Sequence, residues 1–389
     1  MSLKGKAYIV GAYEHPTRHA PDKSVAQLHA EVAAGALKDA GLSKDNVDGY
    51  FCAGDAPGMG GLSMVDYLNL KVRHIDSTDT GGSSYLVHVK HAVQAIAAGK
   101  CDVALITLAG RPRSEGMATG TAPRTGNPAQ PDLQWEYPYG PTVVNMYAMV
   151  AMRHMYEFGT TSAQLAWVKV AASHHAQHNP HALLRDVVSV SDVLNSPMVA
   201  DPLHRLDCCV ITDGGGALVV ARPEIANSIN RPRVKIIGTG EAIKGQMGGA
   251  IDLTYSAACV SGAAAFAEAG VKPADIKYAS IYDSFTITVV MQLEDLGFCE
   301  KGEGGRFVAD GNLISGVGKL PFNTDGGGLC NNHPANRGGM TKVIEAVRQL
   351  RGEAHPVVQV KNCDLALAQG MGGQLATRHG SATLILERE

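Results

Sequence analysis

One sequence pattern occurs twice in this chain, far apart. Ala34-Gly35-Ala36-Leu37-Lys38-Asp39-Ala40-Gly41-Leu42-Ser43 is echoed by Ala263-Ala264-Ala265-Phe266-Ala267-Glu268-Ala269-Gly270-Val271-Lys272. Each copy reads as the end of an amphipathic helix closed by a glycine. Each then enters a strand, at Asn46-Val47-Asp48-Gly49-Tyr50-Phe51 and at Asp275-Ile276-Lys277-Tyr278-Ala279-Ser280. Upstream, Ala7-Tyr8-Ile9-Val10-Gly11-Ala12 and Val234-Lys235-Ile236-Ile237-Gly238 match as first strands. A unit repeated this far along the chain is not a short-period solenoid. Its strand–helix–strand order puts helices on the faces of a mixed or parallel sheet. The expected fold class is α/β, built from two duplicated βαβ-rich halves packed together.

A second stretch organises the chain around a central helix. Thr78-Asp79-Thr80-Gly81-Gly82-Ser83-Ser84-Tyr85-Leu86 reads as a loop and glycine turn. Leu86, Val89, Val93 and Ile96 follow at helical spacing, Gly99 ends the helix, and Asp102-Val103-Ala104-Leu105-Ile106-Thr107 reads as a buried strand. Ser83 or Ser84 is expected to cap this helix. A helix start aimed into a core can seat a nucleophile or an oxyanion, because its free N–H groups favour negative charge. The plainer reading, a capped core helix, is preferred from this stretch alone.

Composition narrows the function classes. The chain has 389 residues, 45% apolar and 18% charged, with a formal net charge of −3. That balance carries no electrostatic footprint for nucleic acid. The absence of an apolar run of about 18 residues argues against a membrane span, and the expected location is cytoplasmic. Eight cysteines occur without a Cys-x-x-Cys, so reduced, buried thiols are expected rather than a metal or disulfide framework. His174, His175, His178 and His181 invite a zinc reading, but no cysteine or carboxylate stands at fixed spacing from them, and a solvated helix face is preferred. No metal is expected.

Between the halves, Arg113 to Pro141 is rich in Gly, Pro and Thr and reads as a long loop. Val143 to Phe158 and Ser162 to Gln177 read as helices, the second capped by Thr161 or Ser162. Then come Asp201-Pro202-Leu203, Cys208-Cys209 and Thr212-Asp213-Gly214-Gly215-Gly216. Tyr156-Glu157-Phe158-Gly159-Thr160, Asn179-Pro180 and these later phrases together resemble the loop domain of the sterol carrier protein X branch of the thiolase superfamily. The central loop and helix, followed by Ala98-Gly99 and Asp102-Val103, resemble that superfamily too. The likeness covers almost the whole chain. It implies a layered α-β-α-β-α body with residues 1–110 plus 200–225 as one half, 111–199 as an inserted loop domain and 233–389 as the other half. It also implies a dimer, with the strand from Asp102 among the candidates for the interface.

The same resemblance assigns candidate site residues and exposes a gap. Counting back from Ala98-Gly99, the nucleophilic cysteine of thiolases falls on Gly82. The branch's His-Asp-Cys-Phe motif reads Tyr282-Asp283-Ser284-Phe285 here, and its Gly-His-Pro segment ends Cys330-Asn331-Asn332-His333-Pro334. The C-terminal glycine motif, which holds a further cysteine in other thiolases, is Gly370-Met371-Gly372-Gly373. A serine lacks the ready ionisation that makes a thiolate a good nucleophile, so thiolysis through an acyl-enzyme is not expected. Tyr282 and His333 are the candidate acid and base, each with a plain packing alternative. Gly82, Ser83, Ser84, Ser284 and Gly372 are the candidate supporting or oxyanion groups. Cys330 falls where the family has a non-catalytic residue.

This set resembles the cysteine-less steroid side-chain aldolases of the superfamily. It implies retro-aldol cleavage of a β-hydroxyacyl-CoA, with the thioester as substrate and no cofactor of the enzyme's own. It also implies a possible OB-fold and zinc-ribbon partner protein. The alternatives are a thiolase-type acyltransferase with a non-standard site and a catalytically silent acyl-CoA-binding scaffold. Tyr282 and His333 are expected to converge on the start of the Ser84–Ala98 helix, with space left at Gly82 for a substrate oxygen.

Overall fold

A computed structural model describes residues 2–118, 139, 142–245, 251–335, 337–375 and 377–389. Most of the predicted Arg113–Pro141 loop lies outside these residues. The strands, in chain order, are β1 (Tyr8–Glu14), β2 (Gly49–Phe51), β3 (His74–Asp76), β4 (Val103–Gly110), β5 (Met198–Ala200), β6 (Leu203–His204), β7 (Gly214–Ala221), β8 (Val234–Lys244), β9 (Tyr278–Ile281), β10 (Leu365–Gln374) and β11 (Thr377–Arg388). All but β5 and β6, which form a small hairpin, join one mixed sheet in the order β3-β2-β4-β7-β1-β8-β11-β10-β9.

The duplication is visible in that order. From the middle outward, β1, β7, β4 and β2 on one side correspond to β8, β11, β10 and β9 on the other. An isolated parallel bridge between Ala279 and Phe322 continues the second series where β3 stands in the first. Within the sheet, β1 and β8 join the halves by a short pairing, Tyr8 with Lys235 and Ile9 with Val234.

The repeated sequence pattern makes the same contacts twice. The Val25–Ala40 helix begins with a Ser24–Gln27 capping box and ends at Gly41, whose φ is 66°. Its counterpart, Ala258–Ala269, ends at Gly270 with φ 74°. Each helix presses on its first strand through a glycine. A Cβ on Gly11 would stand 2.3 Å from the Ala36 carbonyl oxygen, and one on Gly238 would stand 2.3 Å from that of Ala265. Only glycine permits this approach.

Side-chain alternation along the strands then builds five layers. Val10, Tyr50, Leu105 and Val219 face the Val25–Ala40 helix. The opposite face, including Ile9, Phe51, Ile106 and Leu218, packs on the Ser84–Ala97 and Gly339–Arg351 helices. Ala366, Ala368, Leu384 and Leu386 close over these central helices from the second half. The outer face of that half, including Ile281, Leu367 and Ile385, meets the Ala258–Ala269 helix and the inserted helices Val143–Phe158 and Ser162–Ala176.

Three local expectations need correction. β4 is paired on both edges, to β2 and β7, so the strand from Asp102 has no free backbone edge for a second copy. His175 is not on a solvated face. It is buried, and its Nε2 accepts the Ser315 N–H at 2.9 Å. Neither Ser83 nor Ser84 caps the central helix. A 3₁₀ turn, Gly81–Ser83, leads straight into it, and Ser83 is already helical at φ −78° and ψ −13°, whereas a capping residue is extended.

Candidate active site

The Gly81–Ser83 turn is tied down by its own hydroxyls. Ser84 Oγ donates to the Gly81 carbonyl at 2.6 Å and accepts the Thr80 N–H at 2.9 Å. Ser83 Oγ donates to the Thr80 carbonyl at 2.8 Å. Asp79 accepts the Gly81 N–H at 2.9 Å and pairs with Arg337. Both serine hydroxyls are therefore engaged in holding the loop. Gly372 seals the other side. A Cβ there would fall 1.7 Å from the Thr80 carbonyl oxygen, so the β10 backbone lies directly against the turn.

Two segments of the second half deliver the polar groups. Tyr282 follows β9 and donates its backbone N–H to Gln369 at 3.1 Å. His333 follows a π-helical turn, Gly327–Asn331, a rare geometry often found at functional sites. Asp283 holds that turn by accepting the Gly328 and Leu329 N–H groups at 2.9 and 3.1 Å. Lys342 supports Asp283 from the central helix, Nζ to Oδ1 at 2.6 Å. Thr212 Oγ1, from the first half, accepts the His333 N–H at 2.9 Å.

These supports bring Tyr282 Oη to 3.0 Å from His333 Nε2, with the rings nearly perpendicular. The Gly338 N–H donates to the same phenolic oxygen at 3.3 Å. Burial pushes the phenol pKa well up and pushes the imidazole down to about 4, against the pull of the Asp283 charge. At neutral pH, then, the phenol holds its proton and the imidazole lacks a second one.

The space expected at Gly82 is filled. A Cβ on Gly82 would meet Tyr282 Oη at 2.3 Å and the Met371 carbonyl oxygen at 2.4 Å. The phenol itself occupies the position a side chain at 82 would take. Substrate has room further out, in a cavity of about 430 Å³ walled by Gly82, Tyr282, Ser284, His333, Arg337 and Gly372 at its polar end. Met117, Val143, Ile211 and Phe285 provide apolar wall. The cavity collects Gly82, Tyr282, Ser284, His333 and Gly372, while Ser83 and Ser84 stay behind the turn.

Sequence reasoning missed three lining groups. Tyr147 reaches the cavity from the inserted Val143–Phe158 helix, Cys209 from the segment before β7, and Arg337 from beside the central helix. Asp283 was legible, since it sits inside the Tyr282–Phe285 motif. Tyr147 left no local mark, because nothing in its helix distinguishes it from a core tyrosine. Cys209 and Cys330 are both buried enough that their thiol pKa values are raised, so neither supplies a thiolate near neutrality.

Residues 240–388 match a family model described as thiolase C-terminal domain-like. An acetyl-CoA acetyltransferase of Methanothermobacter thermautotrophicus is 33% identical over 90% of this chain and 92% of its own length. A steroid side-chain-cleaving aldolase of Thermomonospora curvata is 34% identical over 90% of this chain and 91% of its own. The solved Ltp2-ChsH2(DUF35) aldolase superposes with a TM-score of 0.88 at 31% identity, covering all of this chain and 99% of that one.

This chain belongs to the thiolase superfamily.

Its relatives include both acyl-transferring thiolases and carbon–carbon-cleaving aldolases. The Gly82 backbone and the Tyr282 phenol meet at the start of the central helix. Among the described residues, no helix is long and apolar enough to cross a membrane.

Proposed function

We propose that this protein cleaves the Cα–Cβ bond of a β-hydroxyacyl-CoA by a retro-aldol reaction, without an acyl-enzyme. The observation that carries the proposal is the Tyr282–His333 pair lodged against Gly82, where a nucleophile would otherwise stand. The substrate hydroxyl docks on Tyr282 Oη. Its proton passes to the phenol oxygen as the phenol's own proton passes to His333 Nε2. The carbon–oxygen bond becomes a carbonyl, the Cα–Cβ bond breaks, and its electron pair moves into the thioester as an enolate. A proton returned to Cα completes the shortened acyl-CoA. The depressed imidazole pKa keeps His333 able to accept, and Asp283 favours the imidazolium that forms. Gly338 N–H steadies charge on the phenol oxygen.

A thiolase-type acyl transfer would need a nucleophile at this place, and the cavity presents only Cys209, whose thiol pKa is raised by burial, and Ser284, which is hydrogen-bonded to Thr288. The solved aldolase that superposes on this chain is an assembly of Ltp2 with ChsH2(DUF35). We extend that to this chain as a proposal: a partner of the OB-fold and zinc-ribbon type, on a homodimeric core. The test is incubation with β-hydroxyacyl-CoA thioesters, with and without such a partner, monitored for a carbonyl product and a shortened acyl-CoA in equal amounts. Intact substrate in every case would reject the reading, and transfer of an acyl group to free CoA would replace it.

A further inference from the structure

Tyr147 stands on the inward face of its helix with Val144, Val150 and Ala151, and only 3% of it is exposed. Its ring packs on Phe285 with centroids 4.3 Å apart. Behind its oxygen lies a chain of hydroxyls. Thr288 Oγ1 is 3.1 Å from Ser284 Oγ, and the Ser284 hydroxyl is placed to favour negative charge on the Tyr147 phenol. The acceptor for the phenol's own proton is the Met371 sulfur, 4.0 Å away. A thioether is a weak acceptor, so a buried donor faces the cavity with little to donate to.

We infer that Tyr147 is a second catalytic phenol, donating its hydrogen bond to the thioester carbonyl oxygen as that oxygen becomes an enolate. The inference rests on the thioester reading of the cavity and assigns the other end of the substrate. What stands behind each phenol decides its task. Tyr282 has a base behind it, His333, and suits the group that loses a proton. Tyr147 has only hydroxyl donors behind it and no base. It can strengthen a hydrogen bond to growing negative charge but cannot pass a proton on. Burial raises its pKa to about 12, which keeps it a neutral donor at working pH. Both phenols line the same cavity, and Tyr147 helps to raise the Tyr282 pKa.

Enolate formation can be read without any aldol cleavage, by exchange of the α-protons of propionyl-CoA in D₂O followed by proton NMR. The α C–H proton goes to the enzyme base, its electron pair moves to the carbonyl oxygen, and a solvent deuteron returns. The full-length protein is expected to catalyse this exchange. Tyr147→Phe keeps the ring packing and should slow it about 10²–10³-fold, the usual loss for one oxyanion donor, with an unchanged melting temperature. Ser284→Ala should slow it about tenfold. Exchange by Y147F within threefold of the unaltered protein, or no exchange by that protein, overturns the assignment. Should Y147F fail to fold, S284A decides: a folded S284A protein with undiminished exchange also overturns it. Exchange without cleavage of any β-hydroxyacyl-CoA would reject the retro-aldol reading while leaving Tyr147 in its role.

Discussion

A side chain at residue 82 and a tyrosine at residue 282 exclude each other: a Cβ on Gly82 would lie 2.3 Å from Tyr282 Oη. The absence of a side chain at residue 82 and the placement of the Tyr282 ring are therefore one structural arrangement. The volume a side chain at residue 82 would take is filled by a phenol with a histidine behind it.

Gly82→Ala should accordingly be destabilising, by about 1–3 kcal/mol for an overpacked interior, and should abolish turnover by displacing the phenol. Adding Tyr282→Ala should recover part of the melting temperature and none of the activity, since the Met371 carbonyl contact at 2.4 Å persists. Thermal unfolding of the single and double variants checks this. Equal melting temperatures for Gly82→Ala and the unaltered protein would show that the exclusion is not real.

Tyr282→Phe should lower cleavage about 10²–10⁴-fold, the range for a positioned acid or base, and His333→Gln should do the same. In the proposed relay, with the two side chains 3.0 Å apart, the double variant should be little worse than either single one. Steady-state kinetics on all three decides it. Multiplicative losses would mean that the residues act independently.

Exposure to acetyl-CoA or acetoacetyl-CoA should leave the intact mass unchanged. Ser83 and Ser84 are held in the turn, and burial raises the Cys209 and Cys330 thiol pKa values. A stoichiometric acyl adduct on any of these would revive the acyltransferase alternative.

Stability should fall as pH drops from about 6.5 toward 4. Burial holds His29, His88, His175, His333 and His379 near 4, below the ordinary value of about 6.5. In that window the unfolded chain binds protons that the native state does not, so unfolding becomes easier as pH falls. Glu345, pushed up to about 7 by burial and the nearby Asp325, acts in the opposite direction but with a single proton. Melting temperatures across this range provide the measurement, and a flat profile would contradict the burial of these rings.

The chain by itself determined the halves and their packing rules. Gly41 and Gly270 mark two helix ends, and the repeated run of small residues marks where each helix presses on its strand, because such features depend on backbone chemistry within a few residues. It also placed Tyr282, Ser284 and His333 in motifs short enough to recognise. Tertiary structure alone decided what those residues do to each other. That the Tyr282 ring fills the place beside Gly82, that Ser83 and Ser84 brace a turn instead of capping a helix, and that Tyr147 from the inserted helix faces the same cavity are distances between segments far apart in the chain. They are set by how the two halves of the sheet close over one pair of helices, and no local pattern of residue types encodes a separation of a few ångströms across that packing.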